Sequence, residues 1–134
     1  MIDRFKYRVF ATISISRKPK KEMFYITGYR FNLDNSITTY TQNKHDLLST
    51  KTFKEYHLMQ CTGKENNLTP DLVYESDILK DCDLERWLVY WDKDYSQFLL
   101  KNIKINTVTD FLDMRIFEII GNIYENPELL TRED

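Results

Sequence analysis

The chain has 134 residues, of which 42% are hydrophobic and 30% are charged, which excludes a disordered chain and is typical of a globular protein. This length allows one domain, or two small subdomains that share a core. The sequence has no long apolar run, and its first ten residues alternate charged with apolar side chains. We therefore expect no membrane span and no signal peptide, and we expect a cytoplasmic protein that does not bind membranes.

The charged residues are divided unevenly along the chain. Residues 1–31 contain eight Lys or Arg and two acids, a balance of +6, whereas residues 32–134 contain eleven Lys or Arg and nineteen acids, a balance of -8. This division is compatible with a basic surface that faces phosphates, with head-to-tail self-association, and with two solvated faces of one small protein.

The first part of the chain predicts a β meander. Residues 5–16 alternate apolar with mostly polar side chains at a period of two, which indicates a strand with one wet face. Pro19 interrupts this strand, because proline has no amide hydrogen to give to a ladder. Residues 23–31 predict the returning strand, residues 34–36 a turn, and residues 37–41 a third strand.

The middle of the chain is harder to assign. Residues 43–54 are ambiguous between a helical turn and a loop. The segment Glu55–Cys61 predicts a strand that Thr62 and Gly63 end, since glycine suits a chain reversal, and residues 64–71 predict a polar loop.

The C-terminal half predicts further short strands, at residues 78–80, 86–91, 97–101 and 117–124. The segment Asp92-Lys93-Asp94 predicts a hairpin turn. Thr107 and Asp110 have the spacing of a capping box, which predicts a short helix through about Met114. Pro127 predicts a turn of helix after the last strand.

Short, closely spaced strands with one short helix indicate a mainly β protein, or α+β at most, built as a small barrel or roll after the N-terminal meander. We place the subdomains at residues 1–54 and 55–134, with one continuous domain as the alternative. The expected core comprises apolar residues of the strand segments, namely Leu58, Ile78, Val89, Trp91, Phe98, Leu100, Ile119 and Ile123. An exposed Trp91 would instead indicate a binding residue.

Three pairs of acids could hold a hard cation, because a spacing of two places both carboxylates on one side of an extended chain. These pairs are Glu75/Asp77, Asp81/Asp83 and Asp92/Asp94. A calcium loop needs more oxygen ligands and a glycine turn, which the sequence lacks here. We therefore interpret the Asp92 pair as a hairpin tip whose carboxylates bond the local backbone, and we expect no metal site.

The cysteines could contribute to a zinc site. His57 and Cys61 would lie on the same face of one strand, and Cys82, from elsewhere in the chain, would be a third ligand. No Cys-x-x-Cys or paired histidine completes four ligands, so we expect both cysteines to be reduced thiols in ordinary packing. A disulfide between them is the alternative.

The sequence gives no support for catalysis. No serine lies in a Gly-x-Ser-x-Gly elbow, and three glycines are too few for a phosphate-cradling loop. We therefore expect a protein that is not an enzyme, with no catalytic residue and no cofactor.

A basic run is the strongest sign of a binding surface. Its candidate nucleic-acid-binding residues are Arg17, Lys18, Lys20 and Lys21. Aromatic residues interleave with the wider basic segment, and basic side chains neutralise phosphates while aromatic rings stack on unpaired bases. The same aromatic residues are also needed for the core.

Several segments resemble the YopX family of phage and prophage proteins. The matching segments are Leu58–Gly63, Val73–Leu79, Val89–Asp92 and Glu118–Leu129, with a weaker match at Phe5–Phe10. Cys61 stands where the family has tyrosine, and Ser76 where it has glycine, so a backbone shape that suits glycine would be altered there. The resemblance implies an SH3-type β-barrel for the C-terminal part and a phage or prophage origin, and it implies no established activity.

Two hypotheses about function follow. In the first, the chain is a non-enzymatic phage accessory protein in the bacterial host cell that acts by self-assembly, as a homo-oligomer, or by binding a host or phage protein. In the second, it associates with nucleic acid through the basic N-terminal surface.

Overall fold

A computed structural model describes residues 6–13, 19–42, 48–65, 71–111 and 117–131. The protein is mainly β, as the sequence predicts, and it includes a curled half-barrel sheet. The SH3-type barrel that the family resemblance implies stays a prediction. The strands are β1 Tyr7–Ile13, β2 Lys20–Ile26, β3 Gly28–Phe31, β4 Ile37–Gln42, β5 Leu48–Phe53, β6 Tyr56–Glu65, β7 Leu72–Tyr74, β8 Asp77–Asp81, β9 Arg86–Asp92, β10 Gln97–Asn102, β11 Val108–Thr109 and β12 Phe117–Asn122.

The chain divides into two compact units, Met1–Cys61 and Thr62–Asp134, here called the N-terminal unit and the C-terminal unit. The boundary lies within β6. The N-terminal unit has eleven Lys or Arg and five acids, a balance of +6, and the C-terminal unit has eight and sixteen, a balance of -8. The uneven charge of the sequence therefore coincides with the division between the units.

The N-terminal unit is built around β1, which pairs antiparallel with β2 on one side and β6 on the other. Strands β3, β4 and β5 form a second antiparallel sheet. Val9 and Ala11 alternate inward along β1, as the period of two predicts, and are fully buried. The core cluster of this unit is Val9, Ala11, Ile26, Ile37 and Phe53.

Arg8 is buried, although it lies on the face of β1 that the sequence predicts to be exposed to solvent. Its side chain is only 3% exposed, and its Nε donates a hydrogen bond to Sδ of Met59 at 3.3 Å, among other contacts. Although Arg8 lies close in sequence to the basic run, its burial excludes it from a basic surface.

The returning strand predicted over residues 23–31 is in fact two strands. The chain breaks at Thr27, whose amide and hydroxyl both donate to the carbonyl of Tyr40, at 2.8 and 3.0 Å. β2 therefore pairs with β1, while β3 pairs with β4. The turn predicted at residues 34–36 is confirmed, and Asn35 there has a positive φ of 69°.

Gly63 does not end its strand, as the sequence predicted, because β6 continues to Glu65. The glycine has a φ of 83° inside the strand. Thr62 stabilises this irregularity, since its Oγ1 donates to the carbonyl of Val73 at 2.8 Å and accepts from the amide of Lys64 at 3.1 Å. Glycine is used here for a local distortion and not for a reversal.

The C-terminal unit contains an antiparallel sheet with the strand order β11-β10-β9-β8-β12. Its core cluster comprises Val73, Leu79, Val89, Leu100 and Phe117. The predicted hairpin after Asp92 is confirmed, as is the helical turn at Pro127, which is the 3₁₀ helix Pro127–Leu130.

The predicted start of the helix near Thr107 is wrong, since Val108 and Thr109 form β11, although Phe111, further along the predicted segment, is in 3₁₀ conformation. The Asn102 side chain decides this outcome. Its Oδ1 accepts from the amides of Lys104 and Ile105, and the turn so formed returns the chain to pair with β10. Residue Met114 lies outside the described residues.

Most of the predicted core residues are buried or half-buried, with Ile78, Val89 and Leu100 fully so. The prediction that Trp91 belongs to the core is wrong, because 45% of its surface is exposed. The register explains this exposure. β8 pairs with β9 only as far as Leu88, so Trp91 extends beyond the end of β8 and packs on Phe98 of β10.

Ser76 keeps the left-handed backbone that glycine would favour, with a φ of 76°. Its amide donates to the carbonyl of Val89, and its own carbonyl accepts from the amide of Ile123. These two bonds hold the residue in a conformation that costs a side-chain-bearing residue about 1–2 kcal/mol.

We expect Ser76→Gly to raise the free energy of unfolding by up to about 1 kcal/mol, because the relief of strain exceeds the extra entropy of glycine in the unfolded chain. Urea titration measures this change. The matched control is Ser49→Gly in the exposed part of β5, where φ is not positive, and this change should lower stability by about 0.5–1 kcal/mol. Equal effects of the two substitutions would contradict the interpretation.

Candidate functional site

The N-terminal unit contains a groove of about 620 Å³. It lies where the end of β1, the residue before β2 and the end of β5 come together. The groove is lined by Thr12, Ile13, Pro19, Thr52, Phe53, Lys54 and Glu55. This volume lies within the range of clefts that hold ligands in proteins. We call it the basic groove, for the lysines described next.

One lysine lines this groove, and two others lie on the neighbouring strand β2. Lys20 and Lys21 are exposed at the start of β2, which is an edge strand, and the register places them opposite Ile13 and Thr12. Lys54 is also exposed and lines the groove directly. Ile13, Pro19 and Phe53 give the groove an apolar floor, and of the three lysines only Lys54 is in its lining. Lys20 and Lys21 are consecutive residues of β2, so their side chains point to opposite faces of the sheet.

Two acids moderate this positive charge. Glu55 lines the groove, and its Oε2 accepts a hydrogen bond from the Thr12 hydroxyl at 3.4 Å. Hydrogen bonds from the hydroxyl and amide of Ser36 lower the pKa of Asp34, with a smaller contribution from Lys54, so Asp34 is ionised near that lysine. The lining itself therefore contains one cation, Lys54, and one anion, Glu55, and the other two lysines lie beside it on β2.

Of the four predicted nucleic-acid-binding residues, Lys20 and Lys21 are exposed at consecutive positions of β2, with their side chains on opposite faces of the sheet. Arg17 and Lys18 lie outside the described residues. The structure adds Lys54 to this group, a residue that sequence reasoning missed. Only the pairing of β4 with β5 brings the end of β5 to this place, so no local signal could have identified Lys54.

The C-terminal unit has a second groove, of about 430 Å³. Trp91 borders it with its exposed indole, and the ring meets Phe98 edge to face with their centroids 4.9 Å apart. The lining residues are Thr62, Lys64, Trp91, Ser96, Gln97, Phe98, Asp110 and Phe111. Sequence reasoning missed this groove, because it assigned Trp91 and Phe98 to the core.

The acid pairs serve the turns of the C-terminal unit. Oδ1 of Asp92 accepts from the amides of Asp94 and Tyr95, which confirms its interpretation as a hairpin tip bonded to the local backbone. Asp81 bonds in the same way to the amides of Asp83 and Glu85, and its Oδ2 accepts from the Trp87 indole.

In the third acid pair, Glu75/Asp77, the second acid also bonds the local backbone. Asp77 is buried, and its Oδ2 accepts a hydrogen bond from the amide of Tyr74 at 2.8 Å. Within the part of the chain that the structure describes, no group of three or more His, Cys, Asp or Glu side chains is placed to hold a metal ion. His57 is exposed, and neither Cys61 nor Cys82 forms a disulfide, the first being half-buried and the second exposed.

Four hairpin tips place one residue each in the left-handed region of backbone space. These residues are Asn35, Leu84, Ser96 and Asn106, with φ values of 69°, 66°, 52° and 61°. Asparagine tolerates this region and leucine does not, because the leucine side chain brings the full steric penalty without a compensating local hydrogen bond. Leu84 is therefore the exception among the four tips.

The comparisons with known proteins agree with this fold. The family model described as "YopX protein" matches residues 6–131. The crystal structure of protein yopX from Bacillus subtilis is 19% identical, with a TM-score of 0.57 over 94% of this chain and 98% of that one. No curated protein matches. No helix among the described residues is long and apolar enough to cross a membrane. The extent of the family match shows that the chain belongs to the YopX family.

Proposed function

We propose that the chain is a non-enzymatic accessory protein of phage or prophage origin that acts in the cytoplasm of the bacterial host by assembling with copies of itself. The observation that carries this proposal is the division of charge between the two compact units, with +6 on the N-terminal unit and -8 on the C-terminal unit.

Opposite charges on two units favour contact between unlike surfaces of neighbouring copies. Such a contact is heterologous, and repeated use of it produces a ring when the rotation closes and a filament when it does not. Complementary charge also accelerates the encounter of the two copies and disfavours contacts between like units.

A non-enzymatic role is supported by the use that the fold makes of its acids. The carboxylates of Asp81 and Asp92 each accept two backbone amides at a hairpin, so they act as structural turn residues. A general acid or base instead requires a carboxyl group that is free to exchange a proton with a substrate.

We expect light scattering at low salt to give a mass that is a multiple of 16.2 kDa. Raising the salt to about 1 M should dissociate the assembly, because the screening length falls to about 3 Å. Lys20→Glu with Lys21→Glu should weaken assembly at low salt, since it reverses two positive charges of the N-terminal unit beside the basic groove.

The matched control is Lys93→Glu with Lys101→Glu, the same charge change at two exposed positions of the already acidic C-terminal unit. This control should assemble at least as well as the unmodified chain, because it adds negative charge to the acidic partner surface. A monomer at every salt and protein concentration would refute the proposal. If neither salt nor charge reversal changes the assembly, the contact between copies would instead be made by strand edges, since unpaired edges are templates for another chain.

Binding of nucleic acid is a second candidate function. The observation that favours it is the placement of Lys20 and Lys21 on the same edge strand as Tyr25, whose ring is 43% exposed. Lysines could neutralise phosphates while the tyrosine stacks on a base. Fluorescence anisotropy with a labelled single-stranded oligonucleotide separates the two functions. Salt-sensitive binding that the two Lys→Glu changes abolish in a chain that stays monomeric would favour nucleic acid over assembly.

A further inference from the structure

Leu84 is exposed at the tip of the β8–β9 hairpin, although its backbone conformation suits a smaller residue. Its φ of 66° costs a leucine about 1–2 kcal/mol. Its side chain is 73% exposed, so burial within its own unit offsets little of this cost. Asparagine occupies the same conformation at positions 35 and 106. Exposure alone would be ordinary, but strained residues concentrate where a function requires them, so Leu84 is a candidate for a contact outside its own unit.

The tip that carries Leu84 is rigid. Asp81 accepts the amides of Asp83 and Glu85 through Oδ1, and its carbonyl accepts the amide of Leu84 at 3.1 Å. Glu85 in turn accepts a hydrogen bond from Asn102 of β10 at 3.3 Å. Because these bonds already fix the direction of the tip, little conformational entropy is lost when it binds.

The basic groove of the N-terminal unit complements this tip in both polarity and charge. Its floor contains the side chains of Ile13, Pro19 and Phe53, which can receive an apolar side chain. Lys54 lines the groove and Lys20 lies opposite the lining residue Ile13 on β2, whereas the tip presents the exposed carboxylate of Asp83 directly before Leu84. Apolar contact at the centre with opposite charges at the rim is the usual anatomy of a specific interface.

We infer that the β8–β9 hairpin of one copy inserts Leu84 into the basic groove of another copy, with Asp83 facing Lys54. This inference rests on the proposed self-assembly and names the contact that produces it. Because the hairpin and the groove lie on different units, each copy can donate one tip and receive another, so the contact propagates head to tail.

The substitution Leu84→Asn tests this contact, because it is expected to change stability and assembly in opposite directions. Asparagine relieves the backbone strain, so the melting temperature measured in about 1 M salt, where assembly is screened, should stay equal or rise. At low salt the dissociation constant of the assembly should increase about tenfold or more, as expected when a central apolar anchor is lost.

The matched control is Tyr95→Asn, which removes a side chain with the same exposure of 73% from the β9–β10 tip at the other end of the sheet. It should leave assembly unchanged. Unchanged assembly in Leu84→Asn, or equal losses in the two variants, would overturn the inference while leaving self-assembly standing. A lower melting temperature for Leu84→Asn would also overturn it. A monomeric unmodified chain would overturn the proposed function and the inference together.

Mixing two variants gives a second, independent readout. The Leu84→Asn chain keeps its groove, and a Lys54→Glu chain keeps its tip, so each alone should be defective. Mixed in equal amounts, they should form a one-to-one dimer through the single intact contact and should not grow further. Sedimentation velocity measures this outcome. The absence of such a dimer, or growth beyond it, would overturn the inference.

Discussion

Replacing Leu79 with alanine is expected to lower the free energy of unfolding by about 2–5 kcal/mol, through loss of apolar contact and creation of a cavity. Leu79 is fully buried at the centre of β8, opposite Trp87 of β9 and Ile119 of β12. With a strand on each side, the surrounding side chains cannot easily collapse into the space. Chemical denaturation followed by tryptophan fluorescence measures the change.

The control for this prediction is Leu33→Ala, at a tip where the leucine is fully exposed. The same truncation there removes no buried area and should change stability by less than about 0.5 kcal/mol. A loss below about 1 kcal/mol for Leu79→Ala would show that this part of the core is loosely packed.

Replacing Gly121 with alanine is expected to cost about 2–4 kcal/mol, because an added Cβ would overlap the side chain of Asn126. Asn126 cannot move away freely, since its Oδ1 accepts the amide of Asn122 at 3.2 Å. Gly121 also lies at the irregularity in the pairing of β12 with β8. Overpacking and loss of this hydrogen bond therefore act together.

Gly28→Ala is the matched control, because a Cβ at this position would meet no atom within 4 Å. Its stability should stay the same or rise slightly, as the unfolded chain loses freedom. Asn126→Gly in the Gly121→Ala background removes the overlapping atoms and should recover part of the loss, which a double-mutant cycle measures. Additive losses at the two positions would contradict the proposed overlap.

The sequence by itself determined the features that depend on neighbouring residues. The period of two in β1 required only that one face be apolar, and Val9 and Ala11 do face the core. The Asp92 hairpin followed from a carboxylate that can bond the next amides, and the 3₁₀ helix followed from the fixed φ of Pro127. The family resemblance likewise needed only the order of motifs along the chain.

The tertiary structure decided the features that depend on which strands become neighbours. Trp91 has the pattern of a core residue, but β8 ends before it and leaves its ring exposed. Thr107 has the spacing of a helix cap, but the Asn102 turn directs the next residues to the edge of β10. In both cases long-range pairing overrode a local preference that is small beside the energy of a strand ladder.

The basic groove likewise combines features that the sequence shows with features that only the tertiary structure creates. The sequence identified Lys20 and Lys21 from charge alone, because a cluster of like charges is visible in one dimension. Only the folded unit brings Lys54 and the apolar floor of Ile13 and Phe53 to the same place. Likewise, the sequence shows Leu84 merely as a leucine between acids, and only the backbone conformation reveals that it is strained and exposed. Charge is a property of composition, whereas a groove and a strained tip exist only once distant segments pack and pair.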